Sequence, residues 1–138
     1  MTDTLVDANV LIDIFADDHR WRRWSARQLA QSKRNGELII NPIIYAEVAA
    51  GFPTQRKLDE ALGVDRYKRE ALPSEAAFMA GRAFLAYRRS GGQKRSPLPD
   101  FYIGAHADVQ GYYLLTRDPA RYRQSFPMVK IISPETNP

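Results

Sequence analysis

The chain alternates between short apolar runs and longer segments in which apolar residues recur every three or four positions. Short apolar runs are typical of buried strands, and a spacing of three and four is typical of amphipathic helices. The pattern predicts strands at residues 4–7, 37–40, 66–72, 112–116 and 128–132, and helices at residues 8–17, 19–34, 42–50, 54–62, 74–89 and 100–110, with a short turn or helix at 118–123.

Several helix ends carry residues that favour a start or a stop. Asn41 can cap the helix that begins at Pro42, since proline is favoured at the first helical position, and Ser74 is the predicted cap of the helix at 74–89. Residues 90–99, SGGQKRSPLP, are rich in glycine, proline and serine, which interrupt both helices and strands. We predict a loop there, directly before Asp100.

The order of these elements predicts the fold class. Strands that alternate with helices through short links favour a parallel sheet with helices on both faces. We therefore predict an α/β protein, a three-layer α/β/α sandwich around a mostly parallel sheet, with residues 1–138 in a single domain. In such sheets, ligands bind beyond the carboxyl ends of the strands, near a switch in strand order.

Composition narrows the class of protein without identifying a partner. Apolar residues make up 44% and charged residues 26% of the chain, which is ordinary for a globular protein, and the apolar runs are too short to span a bilayer. The chain contains no cysteine and opens on no signal-like segment, so we expect a cytoplasmic protein without disulfides. A net charge of +4 permits a polyanionic partner but does not require one.

Four acidic residues lie where neighbouring apolar residues predict a core. They are Asp7 at the end of the first strand, Glu47 on a helix with almost no polar face, Asp100 at a helix start, and Asp118 after the strand at 112–116. Each has a structural explanation, because Asp7 and Asp100 can cap helices, Asp-Pro can begin a turn, and the glutamate can reach solvent or an arginine. A parallel sheet could bring all four to one edge, and this combination favours a shared site.

Carboxylates gathered at one edge repel one another unless something compensates. Two unit charges about 4 Å apart repel by about 4 kcal/mol even at an effective dielectric of about 20. Some acids must then be protonated, or a cation must lie among them. With no cysteine and only two histidines, His19 and His106, a zinc site is poorly supported, and oxygen ligands favour Mg²⁺ or Mn²⁺. Such an ion can activate a water molecule and stabilise charge that develops on a phosphate.

Four segments together resemble a known family. VDANVLID at 6–13, IIYAEV at 43–48, LPDFYIGAHA at 98–107 and LLTRDPARY at 114–122 resemble, in order and approximate spacing, the PIN-domain ribonucleases, and most closely the VapC toxins of bacterial type II toxin-antitoxin pairs. The resemblance implies a PIN-like fold, a homodimer, and Mg²⁺- or Mn²⁺-dependent hydrolysis of RNA by activated water. It also implies inhibition by a cognate VapB-like antitoxin.

The resemblance assigns the acids to roles. Asp7, Glu47 and Asp100 match the principal metal-binding acids of the family. Asp118 matches a fourth, more variable acid, which acts through water or on a second ion. The four residues are therefore the expected catalytic and metal-binding set.

Other polar residues of these motifs receive lesser roles. Asn9 and Thr116 match positions that orient acids and waters in the family's site. Asp13 falls inside the first motif but matches no principal ligand, so a structural role is favoured over one beside the ligands. For His106, packing is favoured over metal binding, because it lies nearly off the helix face that presents Asp100.

Basic and aromatic residues suggest where partners bind. We predict phosphate contacts from residues that flank the loop at 90–99 and the fourth acid, namely Arg88, Arg89, Lys94, Arg95, Arg117 and Arg121. The arginines between residues 20 and 27 are favoured as a solvated helix face. Trp21 and Trp24 are three residues apart on that helix and favour core packing, with a partner groove as the alternative.

Two other functions remain open at this point. The first is a non-catalytic RNA-binding or regulatory module in which the acids are structural and only the arginines contact RNA. The second is a phosphotransferase or phosphatase with an aspartyl nucleophile on the first strand. That chemistry usually needs a second aspartate two residues later, where this chain has Asn9, so it is disfavoured.

Overall fold

The computed structural model describes residues 2–91 and 98–138, within which five strands and seven helices alternate. Several links are only one to three residues long, which is typical of βα units. The elements, in chain order, are β1 (Thr4–Val6), α1 (Ala8–Phe15), α2 (Arg22–Asn35), β2 (Leu38–Ile40), α3 (Pro42–Ala49), α4 (Gln55–Leu62), β3 (Lys68–Arg69), α5 (Ser74–Arg89), α6 (Leu98–Gln110), β4 (Tyr113–Leu115), α7 (Ala120–Arg123) and β5 (Ile131–Ile132).

The five strands form one sheet in the order β3-β2-β1-β4-β5, and every neighbouring pair is parallel. The chain steps outward from β1 to β2 and β3, then returns to the other side of β1 for β4 and β5. Because parallel crossovers are right-handed, these two directions of travel place α1–α4 on one face and α5–α7 on the other. The predicted α/β sandwich is confirmed, and its strand order reverses between β1 and β4.

The strands nearest the centre of the sheet are buried along their whole length or nearly so. Parallel strands covered on both faces are expected to be largely apolar, and β1 (TLV), β2 (LII) and β4 (YLL) are so apart from Thr4 and the hydroxyl of Tyr113. Ile103 and Ala107 of α6 join the main core, whereas Ala76 and Ala80 of α5 pack with Phe101 in a second cluster. Within the described residues, no helix has both the length and the apolar character needed to cross a bilayer.

Two predicted strands are much shorter in the structure. The strand predicted at 66–72 is reduced to β3, because it pairs only with the last two residues of β2. The strand predicted at 128–132 is reduced to β5, because the backbone first turns at Val129, whose N–H donates to the carbonyl of Phe126 at 3.2 Å. Both lie at the sheet edges, where a second partner strand is missing.

The start of the second helix was also predicted too early. Asp18 Oδ1 accepts from the backbone N–H of Arg20 at 2.9 Å and of Trp21 at 2.8 Å, which holds a turn in place of the first helical residues. Helix α2 therefore begins at Arg22 rather than at residue 19. The chain breaks α1 earlier than expected as well, since Asp17 has a φ of 53°.

The predictions around α5 and α6 need two corrections. Ser74 is the first residue of α5 and makes no capping hydrogen bond, with Pro73 at the cap position. Helix α6 begins at Leu98, because Pro99 lies in the first turn, where a missing N–H removes no helical hydrogen bond. Asp100 is therefore inside the first turn and is not a cap.

The loop predicted at 90–99 is only partly described by the structure. Ser90 and Gly91 follow α5 as a turn, and residues 98 and 99 are helical rather than loop. Residues 92–97, which include the predicted phosphate contacts Lys94 and Arg95, lie outside the described residues. The remaining element boundaries either match the predicted ones, as both ends of α5 do, or differ from them by one or two residues.

Candidate active site

Asp7 lies where β1 ends, beside the point at which the strand order reverses. Its Oδ1 accepts from the N–H of Ala8 at 2.7 Å, so it does cap α1. Its Oδ2 accepts from the hydroxyls of Thr116 at 2.8 Å and Tyr122 at 2.7 Å, both buried. The cap explanation is thus confirmed for Asp7. A cap needs only one carboxylate oxygen, and the second oxygen is bound by Thr116, which follows β4, and by Tyr122 of α7.

Asn9 and Thr116 form the polar link between the ends of β1 and β4. Asn9 Nδ2 donates to Thr116 Oγ1 at 3.2 Å and lies 3.4 Å from Asp7 Oδ2, and its Oδ1 accepts from the N–H of Arg117 at 3.2 Å. Thr116 Oγ1 also accepts from the N–H of Asp118 at 3.0 Å. These bonds fix the Asp7 carboxylate and the backbone that leads to Asp118.

Glu47 and Asp100 reach the same region from α3 and α6. Burial, followed by the charges of Asp7 and Asp100, raises the pKa of the Glu47 carboxyl to about 7, although Arg121 opposes the shift. Burial also raises the pKa of Asp100 to about 6, where Arg121 again opposes the shift and Asp7 and Asp118 add to it. The acids are therefore close enough to influence one another's protonation.

Each of these two acids keeps one buried oxygen with no hydrogen-bond partner in the described part of the chain, Glu47 Oε1 and Asp100 Oδ2. A buried, unpaired carboxylate oxygen is costly, so its presence calls for a partner that the protein itself does not supply. Asp7 is only 3% exposed, and burial raises its pKa in spite of three opposing hydrogen bonds. Three carboxyls with raised pKa values, those of Asp7, Glu47 and Asp100, are thus near neighbours at this edge of the sheet.

Among the described residues, Arg121 is the cationic side chain that contacts these acids. Its Nη1 lies 3.6 Å from Asp100 Oδ1 and its Nη2 lies 3.4 Å from Asp118 Oδ2. Asp118 itself is largely solvent-accessible, with 47% of its side chain exposed. Both distances are longer than those of well-formed charged hydrogen bonds. The guanidinium therefore offsets the charges of Asp100 and Asp118 and leaves their oxygens able to accept another partner.

The donor set suits a hard divalent cation. All four predicted ligands are carboxylates, and Mg²⁺ or Mn²⁺ commonly takes a few carboxylates and keeps several waters. As they stand, no three acidic or histidine side chains among residues 2–91 and 98–138 are close enough to form a ready-made cage. The chemistry of these donors therefore suits an open site that water completes, and their arrangement in the described residues does not form an all-protein cage.

Tyr122 is a site residue that sequence reasoning missed. It is fully buried, and its hydroxyl donates to Asp7. Burial beside Asp7 and Asp100 raises its pKa well above the ordinary value, so it remains a donor. The available signal was a tyrosine four residues after Asp118 on a short helix, but nothing local shows that this ring turns back beneath β1.

The arginines predicted to contact phosphate differ in their exposure and in their partners. Arg88 and Arg89 are exposed at the end of α5, and the Arg88 guanidinium lies 5.8 Å from the Phe84 ring. Arg117 is instead turned inward, because its Nε donates to Asp13 Oδ2 at 2.6 Å. Of the described candidates, Arg121 alone contacts the acids.

The structure also places the lesser residues. Asp13 is buried and accepts from Ser25 Oγ at 2.7 Å as well as from Arg117, which agrees with a structural role. Trp24 is buried, as core packing predicts, and Trp21 packs edge-on against it. The arginines between residues 20 and 27 are exposed. His106 is buried among Asn41 and Glu70 rather than among the four acids.

Comparisons with known proteins agree with the fold. The family model of the PIN domain matches residues 4–126. A search of curated protein sequences gives no significant match. Among solved structures, the chain is similar to VapBC2 from Rickettsia felis bound to a DNA fragment from their promoter, with 14% identity, coverage of 96% of this chain and 98% of that chain, and a TM-score of 0.75.

Two further solved structures show the same likeness. VapBC-1 from nontypeable Haemophilus influenzae is 18% identical, with coverage of 96% and 98% of the two chains and a TM-score of 0.73. FitAcB from Neisseria gonorrhoeae is also 18% identical with the same coverage, at a TM-score of 0.69. Identities this low establish a common fold and nothing finer. Together with the family match over most of its length, the fold shows that this chain belongs to the PIN domain family.

Proposed function

We propose that the protein is a metal-dependent endoribonuclease that acts as the toxin of a toxin-antitoxin pair. One observation carries the proposal. Glu47 and Asp100 each bury a carboxylate oxygen without a partner in the described residues, beside an Asp7 whose pKa is raised by burial. A divalent cation compensates such oxygens, and it also brings the chemistry that phosphodiester hydrolysis requires.

In this proposal, Asp7, Glu47 and Asp100 hold Mg²⁺ or Mn²⁺, and Asp118 acts through water or on a second ion. When bound, the cation would supply an activated water and would stabilise negative charge on the phosphate. Thr116 and Tyr122 hold Asp7 in place by donating to its Oδ2. Because those donors stabilise the ionised form of Asp7, they keep it ready to act as a ligand.

RNA then binds along the basic side of this edge. Arg121 is the first candidate for a phosphate contact, because it already lies beside Asp100 and Asp118 and is 45% exposed. Arg88 and Arg89 are exposed on α5 and extend the basic surface. Lys94 and Arg95 stay proposed contacts outside the described residues, whereas the inward ion pair of Arg117 favours a structural role for it.

An antitoxin segment is the proposed inhibitor, and two apolar grooves beside α1 are suitable places for it. One groove, of 290 Å³, lies between Phe15 of α1 and Leu29 of α2. The other, of 150 Å³, includes Ile12 and Phe52. VapBC2 and VapBC-1 are solved as complexes, which supports a similar partner for this chain.

A homodimer in the cytoplasm completes the proposal. Phe78 and Leu85 of α5 are seven residues apart, so they share one helix face, and they are 66% and 38% exposed. Burying such a face is the usual reason for an exposed apolar helix. Light scattering of the wild type and of Phe78→Glu tests the dimer, since the substitution is expected to give a monomer that retains its helix content.

Two observations favour the alternative, a non-catalytic RNA-binding module. Arg121 already offsets the charges of Asp100 and Asp118, and the described residues form no complete cation cage. In that case RNA would bind through the arginines, and divalent ions would change neither thermal stability nor the integrity of the RNA.

Cleavage-site sequencing of cellular RNA after brief expression separates these two functions. Wild-type protein is expected to produce new RNA ends at defined sites, and Asp7→Asn is expected to produce none while keeping the fold. Asparagine has nearly the same shape as aspartate but lacks the charge that a cation needs. Identical end profiles from the two proteins would contradict the nuclease proposal.

A further inference from the structure

A buried histidine of α6, His106, joins the residues that follow two of the strands. Its side chain is 0% exposed. One ring nitrogen contacts Asn41, which directly follows β2, and the other contacts Glu70, which directly follows β3. A polar ring in a core position is costly unless its nitrogens are hydrogen-bonded, and here both of them are. The ring therefore connects α6 to two strand ends at once.

The hydrogen bonds of Asn41 decide which ring nitrogen carries the proton. Asn41 Oδ1 accepts from the N–H of Ile44 at 2.9 Å, so its Nδ2 faces His106 Nδ1, 2.9 Å away. Because Nδ2 is a donor, Nδ1 must be the acceptor. His106 Nε2 then carries the proton and donates it to Glu70 Oε1 at 2.8 Å. This assignment follows from the hydrogen-bond network.

Glu70, at one end of this network, is held from several sides. Its N–H donates to the carbonyl of Ile40 at 2.9 Å, which ties it to β2. Its carboxylate also accepts from the Tyr112 hydroxyl at 3.0 and 2.8 Å and from Gln110 Nε2 at 3.2 Å. Burial opposes ionisation, yet the hydrogen bonds, that of His106 first, lower the pKa of Glu70. Glu70 is therefore a charged and fixed acceptor for the ring.

Asn41, at the other end, determines where α3 begins. It caps the helix through its bond to Ile44, and Pro42 occupies the first helical position. Helix α3 has only eight residues, of which Ile44 and Val48 are buried. A helix this short depends on its contacts with the rest of the fold for its stability. It contacts α6, and the bond from Asn41 to His106 joins its cap to that helix.

Each helix that His106 joins also carries an acid of the candidate site. Glu47 of α3 is six residues after Asn41, and Asp100 of α6 is six residues before His106. Six residues correspond to about 9 Å along a helix. A rotation or shift of either helix at the His106 bond would therefore change the separation of the two carboxyls. These are the two acids that each bury an oxygen without a partner in the described residues.

We propose that His106 is a positioning residue of this site. By accepting from Asn41 and donating to Glu70, it fixes α6 against α3 and so holds Asp100 and Glu47 at the separation that a shared divalent cation requires. Its hydrogen-bond partners are not the acids themselves, so it acts through the two helices. A buried network with all its bonds made suits this role, because it specifies one arrangement of the elements around it. The inference rests on the proposed function, since it concerns the cation that the acids are proposed to hold.

Two substitutions of His106 separate the two bonds of the ring. An asparagine can place its oxygen where Nδ1 lies, whereas a glutamine can place its amide nitrogen where Nε2 lies. His106→Asn thus keeps the bond to Asn41, and His106→Gln keeps only the bond to Glu70. Calorimetric titration with Mn²⁺ should show about tenfold weaker binding in His106→Gln, which frees α3, and a smaller loss in His106→Asn. The reverse order in folded proteins would contradict the proposed link.

Asn41→Ser tests the same bond from its other end. Serine also caps helices but is too short to reach the ring, so Mn²⁺ binding should again weaken by about tenfold. Combining it with His106→Gln should add little, because both changes remove one bond. Tyr45→Phe is the matched control on α3, since it removes the 2.7 Å hydrogen bond to Asp59 of α4 and leaves the link to α6 in place. It should bind Mn²⁺ as the wild type does.

The outcomes distinguish this inference from the function on which it rests. A wild type that binds no Mn²⁺, or binds it equally well as Asp100→Asn, would remove the proposed function and the inference with it. If Asp100→Asn loses the binding but folded His106→Gln and Asn41→Ser keep it, only the positioning role is overturned. Melting curves in EDTA show which variants are folded. An equal loss of affinity in Tyr45→Phe would assign the effect to a general loosening of α3 and contradict the role of His106.

Discussion

Tyr122 donates its hydroxyl to the same Asp7 oxygen that accepts from Thr116. Removing only that hydroxyl should leave the buried ring in place and make the ionised form of Asp7 less favourable. We expect Tyr122→Phe to weaken Mn²⁺ binding by about tenfold, the scale of other groups that support metal ligands. Calorimetric titration measures this. Tyr113→Phe removes the same atom from a half-buried ring of β4 and should bind Mn²⁺ as the wild type does.

The raised pKa of Glu47 predicts how metal-free stability depends on pH. Its folded pKa of about 7 exceeds its ordinary value of 4.5, so the folded state binds the proton more tightly than the unfolded state. This contribution is fully present below about pH 4.5 and is lost as the pH rises through about 7. Glu47→Gln in EDTA should therefore lose less stability than the wild type between about pH 5 and pH 8. Identical melting curves against pH in the two proteins would remove this explanation.

Added Mn²⁺ should oppose this loss of stability at higher pH, because carboxyl ligands bind a cation only when they are deprotonated. The increase in melting temperature on adding Mn²⁺ to the wild type should be larger at about pH 8 than at about pH 5. In Glu47→Gln the increase should be smaller at both values.

At the scale of elements, the position of α6 depends on a glycine. A methyl group at Gly104 would overlap the ring of Phe126, whereas nothing lies near the same atom at Gly81 of α5. Gly104→Ala should cost about 1–3 kcal/mol of unfolding free energy through overpacking. Gly81→Ala should gain up to about 1 kcal/mol, because alanine is the better helix residue. Denaturant unfolding compares them, and equal effects would contradict this account of α6.

The ion pair between Arg117 and Asp13 connects the segment between β4 and α7 to α1 and, through Ser25, to α2. Asp13 is buried, and it accepts from Arg117 at 2.6 Å and from Ser25 of α2. Arg117→Met leaves the Asp13 charge uncompensated, which should cost about 3–5 kcal/mol of stability. Adding Asp13→Leu should restore a large part of that loss. If the double variant is no more stable than Arg117→Met, the pair is not the cause.

Local sequence patterns were sufficient to predict the helices and the central strands. They failed where contacts with other parts of the fold set the length of a strand or the start of a helix. Residues 66–72, RYKREAL, contain four charged residues and give only a weak strand signal, and β3 extends only as far as β2 offers partners. Pro99 indicated a loop, although a proline in a first turn costs no hydrogen bond and α6 accordingly begins at Leu98. Strand order, and hence the side of β1 on which β4 lies, also depends on long-range packing that no local window contains.

At the scale of the whole molecule, the fold brings acids that are far apart in the sequence to one edge of the sheet. All four acids could be singled out from sequence, Asp7 and Asp118 at strand ends and Glu47 and Asp100 beside apolar neighbours, and the resemblance to the PIN family supplied their expected roles. The positions of Tyr122 beneath Asp7 and of Arg121 between two acids could not be predicted. Both contacts depend on how the short helix α7 turns back to the sheet, which is a property of the folded chain and not of the motif.

The central claim is that the buried acids hold a divalent cation that enables RNA cleavage. The most direct measurement is cleavage of a defined single-stranded RNA by purified protein with EDTA, with Mn²⁺ after EDTA, and with Asp100→Asn in Mn²⁺. We predict cleavage by the wild type only when Mn²⁺ is present, and a loss of about 100-fold or more in Asp100→Asn with the fold retained. Cleavage that persists in EDTA, or full activity of folded Asp100→Asn, would contradict the account.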